Sequence, residues 1–187
     1  MDIPELHQRA MDGFGERVHA VGEDQWGLST PCSDWNVRML VNHIAGENMW
    51  TAPLMAGQTI ADMGDSFEGD LLGPDPVKSF DASAEEAVMA VHEPGAMERT
   101  VHLSFGDVPG SEYATQLFAD ILIHSWDLAK ATGGDQRLDP GLVSACASWF
   151  AEEENAYRSA GLIAPRVGVT GDADQQTRLL AAFGRRA

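Results

Sequence analysis

The feature that most constrains the fold of this chain is a long apolar segment that carries an acid and an imidazole four residues apart. The segment reads Asp120-Ile-Leu-Ile-His124-Ser-Trp-Asp-Leu-Ala, and helical spacing of apolar residues continues on both sides of it. On an α-helix, residues i and i+4 lie on one face, one turn apart. Buried ionisable groups are costly unless they are paired or bind a metal. The segment therefore predicts a paired or metal-binding site inside the core.

A second apolar segment has the same design, with His43 and Glu47 four residues apart. Helical bundles build metal sites from inward-facing side chains of neighbouring helices. His43, Asp120 and His124 together make a set of two histidines and one carboxylate. That set suits Zn²⁺ with an open position, or Fe²⁺ or Ni²⁺ in a more octahedral geometry. Three roles stay open for Glu47: a ligand, a general base, or the partner of a solvent-side group.

The residues around these candidate ligands have alternative roles. Asp127 either accepts a hydrogen bond from an imidazole and orients it, or holds the helix in place. Trp35, Trp50 and Trp126 flank the candidates, and we expect them to pack in the core rather than line a substrate pocket. Cys32 lies in a polar loop, where a structural role is expected ahead of a reactive thiol.

Two histidines near the N-terminus are predicted to have no part in a site. His7 and His19 lie on the first predicted helix among charged residues, and we expect both to be solvated.

Apolar periodicity predicts a mostly helical chain. Helices are predicted over residues 4–21, 36–50 with a weak continuation to 56, 76–91, 113–132, 139–161 and 174–183. Residues 57–76 are a predicted loop, and residues 100–105 a short extended segment closed by 106–110. Pro53 is expected to kink or end the second helix, and Ser111 to cap the fourth. The fold class is therefore all-α, most simply a bundle with crossover connections in one domain over residues 1–187.

Composition excludes several classes of partner. The formal charge is −17 with only 12 Lys and Arg, which opposes binding to nucleic-acid phosphates. No apolar run approaches the roughly 18 residues of a membrane helix, and the acidic N-terminus does not resemble a signal peptide. Cys32 and Cys146 lack the spacing of a disulfide framework or a thiolate zinc site. We expect a cytoplasmic protein that binds neither nucleic acid nor membranes.

The segments that hold the candidate ligands resemble a known family. Thr30-Pro-Cys-Ser-Asp-Trp-Asn-Val-Arg-Met-Leu-Val-Asn-His43-Ile-Ala-Gly-Glu-Asn and residues 120–133 look like the DinB-like superfamily. Within it they are similar to the metal-binding domain of mycothiol-dependent maleylpyruvate isomerases. Residues 172–185 resemble the ending of a small actinobacterial metal-binding branch of that group. The resemblance implies a four-helix bundle with an up-down-down-up path and a divalent metal, commonly Zn²⁺ or Ni²⁺.

The same resemblance implies which residues hold the metal. A histidine of the second helix matches His43, and two ligands at i and i+4 of a later helix match Asp120 and His124. The isomerases have glutamate where this chain has the shorter aspartate, so we expect a difference in bond geometry or metal preference. The isomerases also carry a further C-terminal α/β domain that contributes to catalysis, whereas this chain ends soon after Phe183. Activity on maleylpyruvate is therefore not the expectation.

Three functions and one metal-free alternative stay open. The leading function is a metal-dependent transferase that uses a low-molecular-weight thiol, mycothiol in an actinobacterial host, because a coordinated thiol is held as thiolate. Its partners are the thiol and an electrophilic substrate, and Glu47 handles a proton. The second is metal-assisted hydrolysis of an amide or ester, and the third is a non-catalytic bundle that binds metal or a small ligand. The alternative is a core polar pair without metal. A homodimer through exposed helix faces is also an expectation.

Overall fold

The computed structural model describes all of residues 1–187 and is predominantly helical, which confirms the predicted all-α class. The elements are α1 (Ile3–His19), α2 (Val37–Met55), α3 (Ile60–Met63), α4 (Pro76–His92), a 3₁₀ helix (Ala96–Glu98), β1 (Thr100–Leu103), β2 (Gly106–Pro109), α5 (Gly110–Thr132), α6 (Pro140–Ser159) and α7 (Gln175–Ala182). None of the helices combines the length and apolar composition that crossing a bilayer requires. The chain divides into two compact units, Met1–Gly134 and Asp135–Ala187.

The first unit is a four-helix bundle of α1, α2, α4 and α5. Helix α1 packs along α5 and α2 along α4, while α1 also contacts α4 and α2 contacts α5. Each helix buries an apolar stripe, which in α1 consists of Leu6, Ala10, Phe14 and Val18. Nearly every residue of α5 from Tyr113 to Ala129 is buried. A helix that is enclosed along most of its length must carry polar residues into the core, and in α5 these include His124 and Asp127, while Asp120 is half-buried.

Side-chain caps set the beginning of three bundle helices. In each, the cap accepts a hydrogen bond from the backbone N–H three residues later. The caps of α1, α2 and α4 are Asp2, Asn36 and Asp75. Helix α5 has no side-chain cap and begins at Gly110, so the predicted cap at Ser111 is wrong. Because the helix starts one residue earlier, Ser111 already lies inside it. Residue 110 must be glycine, since a Cβ there would lie 2.0 Å from the carbonyl oxygen of Ala96.

The connections of the bundle differ from prediction in two places. Residues 57–76 contain the one-turn helix α3, which Thr59 and Asp62 close with a reciprocal capping box. Helix α2 continues through Pro53 and ends two residues later at Met55, so the proline interrupts the helical hydrogen bonds only in the last turn. The extended segment is confirmed as β1, and the residues predicted as its closing turn form β2, its antiparallel partner.

The second unit contains α6 and α7, which pack on each other, and both predicted helices are confirmed. Phe150 stacks on Phe183 with ring centroids 4.0 Å apart. Glu154 accepts hydrogen bonds from Arg158 and Arg166. The assignment of all of residues 1–187 to one metal-binding domain stays a prediction.

Candidate metal centre

The structure brings His43, Asp120 and His124 together between α2 and α5. His43 Nε2 lies 2.9 Å from Asp120 Oδ2, and His124 Nε2 lies 3.3 Å from Asp120 Oδ1. One nitrogen or oxygen of each residue lies within 4.8 Å of the others. These three residues, here called the His–Asp–His triad, are the ones that the sequence singled out as ligands.

The donor atoms of the triad have the spacing of a metal site. Two ligands bound to zinc at about 2.0–2.1 Å lie about 2.9–3.4 Å apart when the angle between them is octahedral to tetrahedral. The two nitrogen–oxygen distances, 2.9 and 3.3 Å, fall in that range. The side chains of His43 and Asp120 are 27% and 39% exposed, whereas His124 is 7% exposed. The triad is therefore anchored in the core on one side and accessible on the other.

A second carboxylate fixes the orientation of the buried imidazole. Asp127 is completely buried, and its Oδ2 lies 2.9 Å from His124 Nδ1. An ionised carboxylate only accepts hydrogen bonds, so this network assigns a proton to Nδ1. In a neutral ring, the lone pair of Nε2 would then face Asp120 Oδ1, which is another acceptor. The two lone pairs repel unless a cation lies between them, so Nε2 requires either a second proton or a metal ion.

The pKa values of His124 and Asp120 agree with a positive charge between these two residues. Burial alone lowers the pKa of His124, but the charge of Asp120 and hydrogen bonds with Asp120, Asp127 and Cys32 raise that pKa well above its usual value. Burial likewise raises the pKa of Asp120, but the charges and hydrogen bonds of His124 and His43 outweigh it and hold that pKa well below its usual range. A metal ion bound at His124 Nε2 would therefore have to displace a proton.

Glu47 lies beside the triad and outside the set of three donors that are close enough to share an ion. It follows His43 by one turn of α2. Burial and the charge of Asp120 raise the pKa of Glu47, and the histidines of the triad oppose this. A partly buried carboxyl group with a raised pKa beside a metal site is suited to accept and return a proton. Glu47 is therefore a candidate proton acceptor.

Residues 30–35 form a loop that covers the two imidazoles. The ring of Trp35 lies 4.7 Å from that of His43 and 5.6 Å from that of His124, centroid to centroid. Cys32 Sγ lies 3.4 Å from Asp127 Oδ2 and 4.0 Å from His124 Nδ1. The half-buried indole of Trp35 thus packs on the candidate ligands themselves, whereas the sequence predicted packing in the core.

The sequence did not assign two residues to this centre, Cys32 and Tyr113. For Cys32 the sequence favoured a structural role over a reactive thiol, and its contact with Asp127 joins residues 95 positions apart in sequence. Tyr113 was read only as the start of a helix. It is 5% exposed; burial and, to a smaller extent, the charge of Glu47 raise its pKa, while a hydrogen bond with Thr51 lowers it. The one available signal was helical spacing, which puts Tyr113 seven residues before Asp120 on the same face of α5.

The other tryptophans lie away from the triad. Trp126 is buried in the core, as predicted. Trp50 packs edge-on against Phe67 with ring centroids 5.1 Å apart.

The prediction that His7 is solvated is wrong. His7 is fully buried, and neither ring nitrogen has a hydrogen-bond partner. Charged residues lie two positions away on either side, Glu5 and Arg9, but His7 lies one turn before Met11 on the buried side of α1. Its side chain therefore faces the core. His19, in contrast, is 55% exposed and lies 2.8 Å from Asp81, in agreement with the prediction.

Comparison with known families adds an independent observation. A family described as the mycothiol maleylpyruvate isomerase N-terminal domain matches residues 7–129. The match covers most of the first unit and includes the whole triad. The chain belongs to this family. Its membership confirms the resemblance seen in the sequence.

Relatives of this family member include two proteins from strains of Mycobacterium tuberculosis, Uncharacterized protein MT0763 and Uncharacterized protein Rv0738. Each is 34% identical over 147 residues, which cover 76% of this chain and 74% of the relative. The solved structure of a mycothiol-dependent maleylpyruvate isomerase matches 85% of this chain and 71% of its own with 18% identity and a TM-score of 0.66. A histidine-to-alanine mutant of that isomerase matches 67% of this chain and 59% of its own with 16% identity and a TM-score of 0.57. The chain thus spans less than two thirds of the mutant structure, and both likenesses show a shared fold.

Proposed function

We propose that this protein binds one divalent metal through His43, Asp120 and His124 and acts as a metal-dependent S-transferase-like enzyme with mycothiol or a related small thiol. The observation that carries metal binding is the position of His124, which lies with each ring nitrogen against a different carboxylate. The thiol is inferred from the family, since the solved isomerases are described as mycothiol-dependent. The substrate would be a small electrophile.

The donor set favours Zn²⁺, with Ni²⁺ and Fe²⁺ as alternatives. Two imidazoles and one carboxylate make up the three protein ligands of several catalytic zinc sites, where a further position stays open. A soft cation site of thiolates is not available from these three residues, and an all-oxygen site for a hard cation such as Mg²⁺ is not either. The bound metal would supply Lewis acidity that favours the thiolate form of a small thiol at neutral pH.

The residues around the triad would handle the proton and limit access of water. Glu47, one turn from His43, would accept the proton of the incoming thiol. As the carbon–sulfur bond forms on an unsaturated electrophile, the same carboxyl group would return that proton to the product, so the addition needs no oxidant or reductant. Trp35 covers one side of both imidazoles, which leaves the exposed side of Asp120 as the approach for the substrates.

Metal content tests the first half of the proposal. Untagged protein, dialysed against Zn²⁺ and freed of excess, is expected to retain about one equivalent per chain, and Asp120→Asn and His124→Ala are expected to lose it. Glu86→Gln on the exposed side of α4 is a matched control and should retain the metal. Wild-type protein without stoichiometric metal, and without any gain in stability on adding one, would contradict metal binding.

Thiol-dependent conjugation of a chromogenic electrophile tests the second half. The rate of the zinc-loaded wild type should rise with thiol concentration, fall to the uncatalysed rate in His124→Ala, and fall in Glu47→Gln without loss of metal. Equal rates for wild type and His124→Ala would refute the transferase. Turnover of an ester or amide without added thiol would replace it with a hydrolase.

A further inference from the structure

The thiol of Cys32 makes a hydrogen bond with Asp127, the carboxylate that orients His124. Cys32 Sγ donates to Asp127 Oδ2 at 3.4 Å, and the same oxygen lies 2.9 Å from His124 Nδ1. A line of hydrogen bonds therefore runs from Cys32 through Asp127 to His124, whose other nitrogen belongs to the triad. This line approaches the triad from the buried side of His124, opposite to the accessible Asp120.

The backbone holds Cys32 in this place. The Cys32 N–H donates to Thr30 Oγ1 at 3.1 Å, and the Thr30 hydroxyl lies 2.9 Å from the Trp35 carbonyl oxygen. The Trp35 N–H in turn donates to the Cys32 carbonyl at 2.9 Å, and the Thr30 N–H to the Trp35 carbonyl at 3.1 Å. These bonds close a compact turn. The turn carries the thiol to Asp127 and the indole of Trp35 to the two imidazoles.

Asp127 depends on such a donor more than Asp120 does. Asp127 is 0% exposed, so water cannot replace the thiol as a donor to Oδ2, and removal of one donor from a buried carboxylate is costly. The side chain of Asp120 is 39% exposed and can be hydrated. Loss of the thiol would therefore remove one of the donors that hold Asp127 Oδ2, and the constraint that this oxygen places on the orientation of the His124 ring would weaken.

We propose that Cys32 is a positioning residue for the metal site: its thiol fixes Asp127, which holds His124 with Nε2 toward Asp120 and His43. This inference rests on the proposed function. Cys32, Asp127 and His124 also have one donor atom each within 4.8 Å of one another. A metal bound by that set would be ligated by His124 Nδ1, the nitrogen whose N–H is hydrogen-bonded to Asp127. A metal held by Cys32, His124 and Asp127 would be bonded to sulfur, whereas a metal held by His43, Asp120 and His124 would not.

Metal affinity and the cobalt spectrum distinguish these arrangements. Competition with a chromophoric chelator is expected to show that Cys32→Ala binds Zn²⁺ 10- to 100-fold more weakly, on the order seen when a residue that orients a ligand is removed. Cys32→Ser, which keeps a donor, should recover most of the affinity, and Ser33→Ala in the exposed part of the same loop should match wild type. Co²⁺-loaded wild type should lack a thiolate-to-cobalt absorption band. Unchanged affinity in Cys32→Ala, or such a band that disappears in Cys32→Ser, would overturn the proposal.

A measurement on the metal-free protein separates this inference from metal binding itself. Proton NMR of the imidazole groups should show a His124 Nδ1–H signal that exchanges slowly with water in wild type, Cys32→Ser and Ser33→Ala, and rapidly in Cys32→Ala. Slow exchange in Cys32→Ala would refute positioning by the thiol. The expected response in a protein that binds no metal would uphold the link from Cys32 to His124 while refuting the proposed function.

Discussion

His124 is the residue on which the candidate site depends, because its two ring nitrogens face two different carboxylates. Its pairing with Asp120 could be predicted from the sequence, since the i, i+4 spacing and the apolar neighbours define both the face and its burial. Its link to Cys32 could not. A loop has no periodicity from which the direction of a side chain can be predicted, and the contact spans 92 residues of sequence.

The first prediction at this scale concerns pH and metal affinity. Burial lowers the pKa of His124, but the charge of Asp120 and the hydrogen bonds of the site outweigh burial and raise that pKa well above its usual value. Below that raised pKa a metal must displace the proton on Nε2, so Zn²⁺ affinity should fall about tenfold for each unit decrease in pH. Without metal the sign is reversed: the proton on His124 stabilises the fold at low pH, and this stability is lost as pH rises through the raised pKa.

Zn²⁺ affinity measured from mildly acidic to neutral pH, together with proton release on loading, checks this prediction. The control is Glu86→Gln, which should retain the wild-type slope. A pH-independent affinity and no released proton would contradict competition at His124.

The second residue-scale prediction concerns His7, which has no hydrogen-bond partner in the core. Burial, and to a smaller extent His92, lower its pKa from 6.5 to about 4. Between these values the unfolded chain binds a proton that the folded chain does not. The free energy of unfolding therefore decreases as the pH is lowered, by up to about 3 kcal/mol in total. His7→Leu should remove this part of the acid sensitivity and, at neutral pH, stabilise the protein by about 1 kcal/mol.

Denaturant unfolding above and within this pH window checks the His7 prediction. The exposed Gln8 on the same helix provides the control, since Gln8→Ala removes no ionisable group and should keep the wild-type dependence on pH. If His7→Leu loses as much stability on acidification as wild type does, the assignment of the slope to His7 is wrong.

At the scale of elements, α5 shows which helix features are local and which are tertiary. Its existence and approximate extent follow from apolar spacing over residues 113–132. Its first residue does not, because Gly110 is placed by contact with Ala96, in a 3₁₀ helix that precedes β1. The same holds for β2, which exists only by pairing with β1. Local pattern thus predicts the long helices, while their ends and the short elements depend on contacts that no single segment encodes.

Replacement of Gly110 tests that explanation. Gly110→Ala would put a Cβ 2.0 Å from the Ala96 carbonyl oxygen, and relief of this overlap requires a backbone shift that should cost at least about 2 kcal/mol. Gly27→Ala is the control, because no atom lies within 4 Å of its added Cβ, and it should be close to neutral. Equal stability of the two variants in denaturant titrations would show that the close approach does not determine where α5 begins.

At the scale of the whole molecule, the fold and the family are better determined than the reaction. Helical patterning predicted the all-α class, and the two ligand segments carried the resemblance that the family match confirms. The substrate does not follow from either, because one fold hosts many chemistries. The formal charge of −17 opposes electrostatic binding to polyanions, but it does not indicate which small molecule would bind. The central claim for the molecule is therefore a metal between α2 and α5.

An anomalous-scattering map of crystals of the zinc-loaded protein tests this claim most directly. It should show one peak at about 2.0–2.2 Å from His43 Nε2, an Asp120 carboxylate oxygen and His124 Nε2, with His124 Nδ1 still hydrogen-bonded to Asp127. No peak at the triad, or a peak bonded to Cys32 Sγ and His124 Nδ1, would contradict it.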